Sequence, residues 1–512
     1  MRYIVSDNMM KALERYTIDY IQVPSLVLME KAALAVRDAV IGLAKTDSKI
    51  LVVCGTGNNG ADGLAVVRLL REKGFVCDYA IVGNVTKATK EWQLQHDILE
   101  RLYGMESVTM EKFGEYNVLV DAIFGIGLSR NVEGEHARYI EAINNARRLN
   151  VAKVVAIDVP SGINATTAEI MNTAVYADIT VTFGFEKIGL RMFPGNEYAG
   201  NVMIADIGIG VIEASGIIPE IYTHTLDDYM FLPARRKHSN KGSYGKVLII
   251  AGAKNMAGAA IFSALTAYRM GAGLVYIITD KANRKIIQSK LPEAVLIDTD
   301  SGLSEESVLK YAKGMDSIVC GPGLGTSKEA EAIVRTVLKI KDRPVILDAD
   351  ALNIIAKEKL CPELSDNMVL TPHLGEMARL TGLSITDIQK DMINVATEFA
   401  KNTNIILVLK DAVTVIADKK GVFYLNSSGN SGMSTAGSGD VLTGVIGALM
   451  AMYGRCSSGK DYYRLGASLG VYIHGLAGDY AKRKLGERPL LSRDICKSVE
   501  KIMGEEEWKR LF

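Results

Sequence analysis

The feature that most restricts this chain's fold is a repeated alternation. Short, uniformly apolar runs rich in β-branched residues are each followed by a longer segment with helical periodicity. In the first half the runs are Lys49–Cys54, Val76–Val82, Val118–Ala122, Val154–Ile157 and Ile179–Phe183. A second series comprises Val247–Ile250, Leu274–Ile278, Ser317–Cys320, Val345–Leu347, Ile405–Leu409 and Val413–Ile416. A half-exposed strand alternates apolar and polar residues, so runs without alternation are expected where both sheet faces are covered. Between them, residues such as Leu26, Met29, Ala33, Val36 and Val40 recur at the three- and four-residue spacing of one helix face. The pattern predicts an α/β protein built on parallel sheets with crossover helices.

Two series imply two domains, and 512 residues exceed one domain of about 150 residues. The pattern breaks between about 212 and 238, at Pro219, the polar stretch Thr223–Asp228, Pro233 and the basic run Arg235-Arg236-Lys237-His238. The expected division is a first domain over 1–215, a linker over 216–236 and a second domain over 237–512. Lys+Arg and Asp+Glu both number 59, so no net charge draws the chain to nucleic acid or an anionic membrane. The cysteines Cys54, Cys77, Cys320, Cys361, Cys456 and Cys496 form no C-x-x-C pair, which fits a reducing compartment and predicts a cytoplasmic location. The opening residues Met1–Asn8 turn polar at once, with no apolar signal segment. The longest apolar stretch, Val441–Tyr453, is interrupted by Thr443, Gly444 and Gly447. It is shorter than the ~20 residues of a membrane span and reads as a core helix.

In the first domain, Gly55, Gly57 and Gly60 form G-x-G-x-x-G between a strand and the apolar segment Leu64–Leu70, with Asp78 following in the next strand. Such a turn brings backbone N–H groups and a helix N-terminus close to an anion. Asp62 argues against plain dinucleotide binding, because it places a competing anion in the first helical turn. With Asn58 and Asn59 it suits sugar hydroxyls or a cation. Asp121 and Asp158 each end an apolar strand and precede a flexible loop, Phe124-Gly125-Ile126-Gly127 and Val159-Pro160-Ser161-Gly162 respectively. The structural alternative for either acid alone is a helix N-cap. Together, beyond the carboxyl ends of parallel strands, they point to a cation ligand and a general acid/base.

These segments, Cys54 to Gly63, Asp121 with Phe124–Gly127, and Ile157 to Gly162, resemble the NAD(P)H-hydrate epimerase family over about residues 1–215. The resemblance implies a Rossmann-like three-layer αβα domain. It implies that Asn59, Asp121 and Ser161 hold a potassium ion, and that Asp158 acts as acid/base on the hydrated nicotinamide ring. It further implies substrate contacts from Asn58, Asn59, Gly60, Ala61, Asp62, Gly125, Ile126, Gly127 and Asp158. Ala61 departs from the glycine usual in that family.

In the second domain, Gly437-Ser438-Gly439-Asp440 opens the apolar segment Val441–Met452. Glycine-exposed N–H groups at a helix start can stabilise a transferring phosphoryl group, and Asp440 can take a proton from an attacking hydroxyl. The loops Gly321-Pro322-Gly323-Leu324-Gly325, Asp348-Ala349-Asp350, Thr371-Pro372-His373-Leu374-Gly375-Glu376 and Lys410-Asp411-Ala412-Val413-Thr414 each follow a strand-like run. Of Asp348 and Asp350, one is expected to cap a helix and the other to face the cleft or a magnesium ion. His474, on an apolar helical pattern, reads as structural.

With Lys241-Gly242-Ser243-Tyr244-Gly245, these segments resemble, in order, the ADP/ATP-dependent NAD(P)H-hydrate dehydratase family over about residues 230–505. The resemblance implies a ribokinase-like α/β fold. It implies hydrate contacts from Ala259, Gly323, His373 and Asp440, nucleotide contacts from Lys410, Asp411, Ala412, Val413, Thr414 and Gly439, and Mg2+ carried with ADP. The fused halves resemble the bifunctional repair enzymes of bacteria and archaea. Such enzymes would epimerise NADHX and NADPHX and dehydrate the S form with hydrolysis of ADP to AMP, or with ATP, as a homo-oligomer. Two readings stand beside this one: a ribokinase-like kinase of small-molecule alcohols, and a first domain that binds without catalysing.

Overall fold

The computed structural model describes residues 1–504 apart from Met105, Val151, 211–214, 298–304 and Ser458. The chain forms two compact units, Tyr3–Glu220 and a second comprising Met1–Arg2 and everything from Ile221. The stretch expected as a linker divides at that point. Tyr222, Leu226, Tyr229, Phe231 and Leu232 pack against the second unit's core.

In the first unit, β1 (Lys49–Cys54), β2 (Val76–Ile81), β3 (Val118–Ala122), β4 (Lys153–Ile157), β5 (Ile179–Phe183) and β6 (Asn201–Ala205) form a sheet ordered β2-β1-β3-β4-β5-β6. Every adjacent pair is parallel. The apolar runs are double-faced in fact. Ile50, Val52 and Cys54 pack towards α2 (Ser25–Leu43) and α3 (Asn58–Glu72). Leu51 and Val53 pack towards α5 (Gly134–Asn150), against Ile140 and Ile143. Helices on both faces make three layers. In α2 the predicted face is buried from Met29 to Val40, while Leu26 in the first turn is 40% exposed. The strand order reverses direction beside β1, so the crevice for a ligand lies beyond the carboxyl ends of β1 and β3.

The second unit's sheet runs β10-β9-β8-β11-β12-β13-β14-β15-β16-β7. These are β7 (Ile221–Thr223), β8 (Lys246–Ile250), β9 (Leu274–Ile278), β10 (Val295–Leu296), β11 (Ser317–Cys320), β12 (Val345–Leu347), β13 (Met368–Leu370), β14 (Ile406–Leu409), β15 (Thr414–Asp418) and β16 (Gly421–Asn426). Only β15 runs antiparallel to its neighbours in this order. The core against Val247 and Ile249 is filled by α6 (Ala257–Met270), α11 (Ser438–Cys456), α12 (Tyr462–Leu485) and α13 (Ser492–Ile502). Residues Val441–Tyr453 of α11 are buried without interruption, as a core helix requires. Among the described residues no helix is long and apolar enough to cross a membrane.

Candidate active sites

The loop after β1 is shaped by backbone contact before any ligand is considered. A Cβ at Gly55 would lie 2.2 Å from the Ile123 carbonyl, and one at Gly60 would lie 1.8 Å from the Gly55 carbonyl. A Cβ at Gly57 would meet nothing within 4 Å. Two of the three motif glycines thus fold the turn, and the third leaves open space before α3, which begins at Asn58. Ala61 is fully buried in the core facing α2, so its methyl group points into packing. Asp78 is committed elsewhere. It accepts from Arg71 Nη2 at 3.0 Å and from the Tyr116 hydroxyl at 2.9 Å.

Asp121, fully buried at the end of β3, ties two loops together. Ser161 donates its backbone N–H to Oδ2 at 2.7 Å and its hydroxyl to Oδ1 at 2.6 Å. Ser161 Oγ in turn accepts the Phe124 N–H at 2.8 Å. Burial pushes the Asp121 carboxyl up to about 6, against the hydrogen bonds from Ser161 and Ile123. Asn59 faces the same loop, with its side-chain oxygen 3.3 Å from where a Cβ on Gly125 would stand. Its Nδ2 is buried with no hydrogen-bond partner.

Asp158 follows β4 with φ of +66°, a left-handed conformation that is costly for a residue with a side chain and clusters at functional sites. Its Oδ1 accepts the Lys187 ammonium at 2.6 Å and the Thr182 hydroxyl at 3.1 Å. Lys187 is wholly buried, and its remaining protons go to Thr182 Oγ1 and the Phe183 carbonyl, both at 2.9 Å. Two further acids converge here. Burial, then the charges of Asp158 and Glu14, push Asp62 well above the usual carboxylate range. Burial and Asp158 likewise raise Glu14, against Lys187.

In the second unit the acids and loops lie beyond the carboxyl ends of β11, β12, β13 and β14. Asp348 accepts the Lys410 ammonium on Oδ1 at 2.9 Å. A Cβ at Gly439 would stand 3.3 Å from Asp348 Oδ2 and 3.6 Å from Lys410 Nζ, which fixes the start of α11 against this pair. Asp440, in the first turn of α11, is pushed up to about 6 by burial first and then by Asp348, with Lys410 opposing. Burial and Asp348 also raise Glu376. Asp350 is used structurally, accepting the Gly325 N–H at 2.8 Å and the Asn353 amide at 3.3 Å. Asp348 is therefore the acid that faces the cleft. Between them Ala349 holds φ of +50°.

His373 caps the helix Leu374–Thr381: its Nδ1 accepts the Gly375 N–H at 2.9 Å, and its Nε2 lies 3.5 Å from Glu376 Oε1 on a side chain 56% exposed. Gly323 stands close to Ala259, since a Cβ there would be 3.0 Å from that methyl group. Lys410 to Thr414 form the turn into β15, with Asp411 and Ala412 exposed and Val413 buried. His474 buttresses the glycine loop, 3.3 Å from Ser438 Oγ, and burial pushes it down to about 4.

Residues 247–501 match the family described as NAD(P)H-hydrate dehydratase, and residues 25–189 match YjeF-related protein N-terminus. A relative from Thermofilum pendens, named bifunctional NAD(P)H-hydrate repair enzyme Nnr, is 34% identical over 96% of this chain and 94% of its own. The chain belongs to the bifunctional NAD(P)H-hydrate repair enzyme family. A second member, from Moorella thermoacetica, is 33% identical over 96% of this chain and 95% of its own. Among solved structures, an ADP/ATP-dependent NAD(P)H-hydrate dehydratase from Bacillus subtilis is 29% identical, covering 57% of this chain and 99% of that one with a TM-score of 0.47. Within this family member, Lys187, Glu14 and Glu376 are site neighbours that motif reading did not single out. Lys187 and Glu14 come from segments remote in sequence from the glycine loop, and only the fold brings them to Asp158.

Proposed function

We infer that the chain repairs hydrated nicotinamide cofactors, epimerising the R and S forms of NAD(P)HX and dehydrating the S form to NAD(P)H at the expense of ADP. The observation that carries the reading is the pairing of a glycine-exposed helix N-terminus with Asp440, whose carboxyl sits near 6 and is half converted just below neutrality. In the dehydratase step Asp440 removes the proton of the ring hydroxyl. The freed oxygen attacks the terminal phosphorus of the nucleotide, and AMP leaves. The phosphate ester then departs from the ring carbon while the neighbouring carbon loses a proton, which restores the double bond. The Gly437–Gly439 amides and Lys410 suit the phosphoryl charge, with Ala259, Gly323 and His373 lining the hydrate and residues 410–414 the nucleotide. Asp348, Asp440 and Glu376 bring three carboxyl groups to one ammonium, a surplus of negative charge that fits Mg2+ carried with the nucleotide. When bound, that ion would neutralise phosphate charge.

In the epimerase step the ring hydroxyl leaves with a proton, pushed by the ring nitrogen's lone pair, and water returns to the other face. Asp62, whose carboxyl burial and the charges of Asp158 and Glu14 push well up, suits the donor; Asp158, oriented by Lys187, suits the acceptor. Lys187 is a positioning residue in this scheme. A potassium ion fits Asn59, Asp121 and Ser161. A half-turn of the Asn59 amide replaces its orphaned buried nitrogen by an oxygen, which would join one carboxylate and one hydroxyl. The ion would supply fixed positive charge beside the loop Phe124–Gly127.

The test is recovery of reduced-nicotinamide absorbance from mixed NADHX epimers with ADP, with ATP and with neither. Full recovery only with nucleotide is expected. Recovery that stops at the S fraction would remove the epimerase, and a stable phosphorylated product would replace the dehydratase by a kinase. The reading extends to a cytoplasmic homo-oligomer, checked by cell fractionation and light scattering.

A further inference from the structure

The Lys241–Gly245 motif is left over once the active sites are accounted for. It precedes β8, so it lies at the amino ends of the strands, whereas Asp348, Lys410 and Asp440 lie beyond the carboxyl ends. Helix α11 spans the distance, carrying Asp440 in its first turn and Arg455 and Cys456 in its last. At 1.5 Å per residue the two ends are about 24 Å apart.

Around the motif is a cavity of about 590 Å³, lined by Arg236, His238, Lys246 and Arg455 and, among the described residues, by no carboxylate. Arg455 is partly neutralised by Asp316, at 2.9 Å. Neither the Arg236 guanidinium nor the Lys246 ammonium forms an ion pair among the described residues. Hydroxyl and amide donors from Ser239, Asn240 and Ser243 stand beside them, over an apolar floor that includes Met452. The wall is braced before any ligand arrives. The Tyr244 hydroxyl donates to Ser239 Oγ at 2.7 Å and accepts the Arg236 N–H at 2.9 Å, and Asn240 Oδ1 accepts the Gly242 N–H at 2.9 Å. A Cβ at Gly273 would lie 1.7 Å from the Lys241 carbonyl, so β9 presses directly on the motif. The carbonyl end of α11 disfavours an anion, and the cations oppose it. A chain with no net charge has gathered four basic residues around one concavity of ligand size, with Asp316 against Arg455 as the acid at its edge.

We propose that this cavity is a second binding site of the dehydratase unit, taking a phosphate-bearing ligand of nucleotide size, separate from the site at Asp440. Its phosphate would lie between Arg236 and Lys246, with its apolar part towards Met452.

Cys456 lines the cavity and is exposed, which makes it a local reporter. The full chain would be alkylated with iodoacetamide and Cys456 followed by peptide mass, with ADP, NADPH, inorganic pyrophosphate or adenosine present. At tenfold above the dissociation constant the site is ~90% filled, so modification should slow about tenfold with a phosphate-bearing ligand. Adenosine should not protect. ADP protection without pyrophosphate protection would assign a nucleotide, and both together a phosphate subsite. Arg236→Gln with Lys246→Gln should abolish protection while nucleotide-driven dehydration and Tm stay unchanged. Absence of protection by all three phosphate compounds, or protection undiminished in the double variant, overturns the proposal.

Discussion

Replacing Lys187 by Met tests the first unit's chemistry and its stability together. The side chains of Lys187 and Asp158 are 1% and 11% exposed, and Nζ makes three hydrogen bonds of 2.6, 2.9 and 2.9 Å. Methionine fills similar volume but leaves Asp158 without its counter-charge and the Phe183 carbonyl without that donor. Breaking a buried pair by removing one partner costs about 3–5 kcal/mol. For a unit of this size each kcal/mol is worth ~2–4 °C, so the first unit's calorimetric transition in the full chain should fall by roughly 6–20 °C. A mis-aimed Asp158 should slow consumption of the R epimer about 10²-fold, read with ADP present so that the S form is drained continuously. Dehydration of pure S epimer should be unaffected. Thr182→Val is the gentler companion: it removes hydrogen bonds of 3.1 Å to Asp158 and 2.9 Å to Lys187 at a cost of about 1 kcal/mol, and should slow epimerisation without unfolding the unit. An unchanged transition with native R-epimer consumption in Lys187→Met would refute the reasoning.

Three other outcomes follow from the same geometry. Dehydration should lose activity on the acid side with a midpoint near 6, where Asp440 takes up its proton, and Asp348→Asn should move that limb to lower pH by removing the like charge; a limb that stays put would separate it from Asp440. Asp121, raised from 3.8 to about 6, contributes stability that is present below the unfolded value and lost as pH rises through 6, so keeping it ionised costs about 3 kcal/mol at neutral pH. Exchanging potassium for choline should therefore lower the first unit's Tm at pH 7.5 and have no effect well below 6; ion-independent melting at both would remove the potassium assignment. Gly60→Ala should destabilise by ~3 kcal/mol or more, because its Cβ meets a backbone carbonyl at 1.8 Å, while Gly57→Ala should melt normally, which chemical denaturation of both would check.

The strands legible in the chain were those buried on both faces, because only their burial leaves an uninterrupted apolar run. Edge strand β6 escaped, since Asn201–Ala205 is partly exposed along its length and carries no such run. Short strand β7 escaped because its pairing is set by a partner far away in sequence, Tyr424 of β16, and β16 itself, the hairpin partner of β15, escaped with it although its run Val422–Leu425 is buried. The acids at strand ends could be read from position alone, but their company could not. Asp78 fits the spacing of a ribose-binding acid and is spent on Arg71 and Tyr116. Lys187, in the run Phe185-Glu186-Lys187-Ile188, looks like a surface residue, because nothing local announces burial of an ammonium. A hint was available in Thr180 and Thr182, polar residues inside a strand otherwise wholly covered.

The seam between α6 and α11 has a consequence for how this enzyme ages under heat. A Cβ at Gly444 would stand 2.3 Å from the Ser263 carbonyl, and the Ser263 hydroxyl grips the Asp440 carbonyl at 3.0 Å. One residue thus governs both how closely two core helices approach and where the backbone of Asp440 is held. Slackening of that joint, by warming or by a bulkier neighbour, reaches Asp440 before it reaches the sheet. Activity should therefore fade at a lower temperature than the second unit melts, making turnover a finer gauge of core fit than calorimetry.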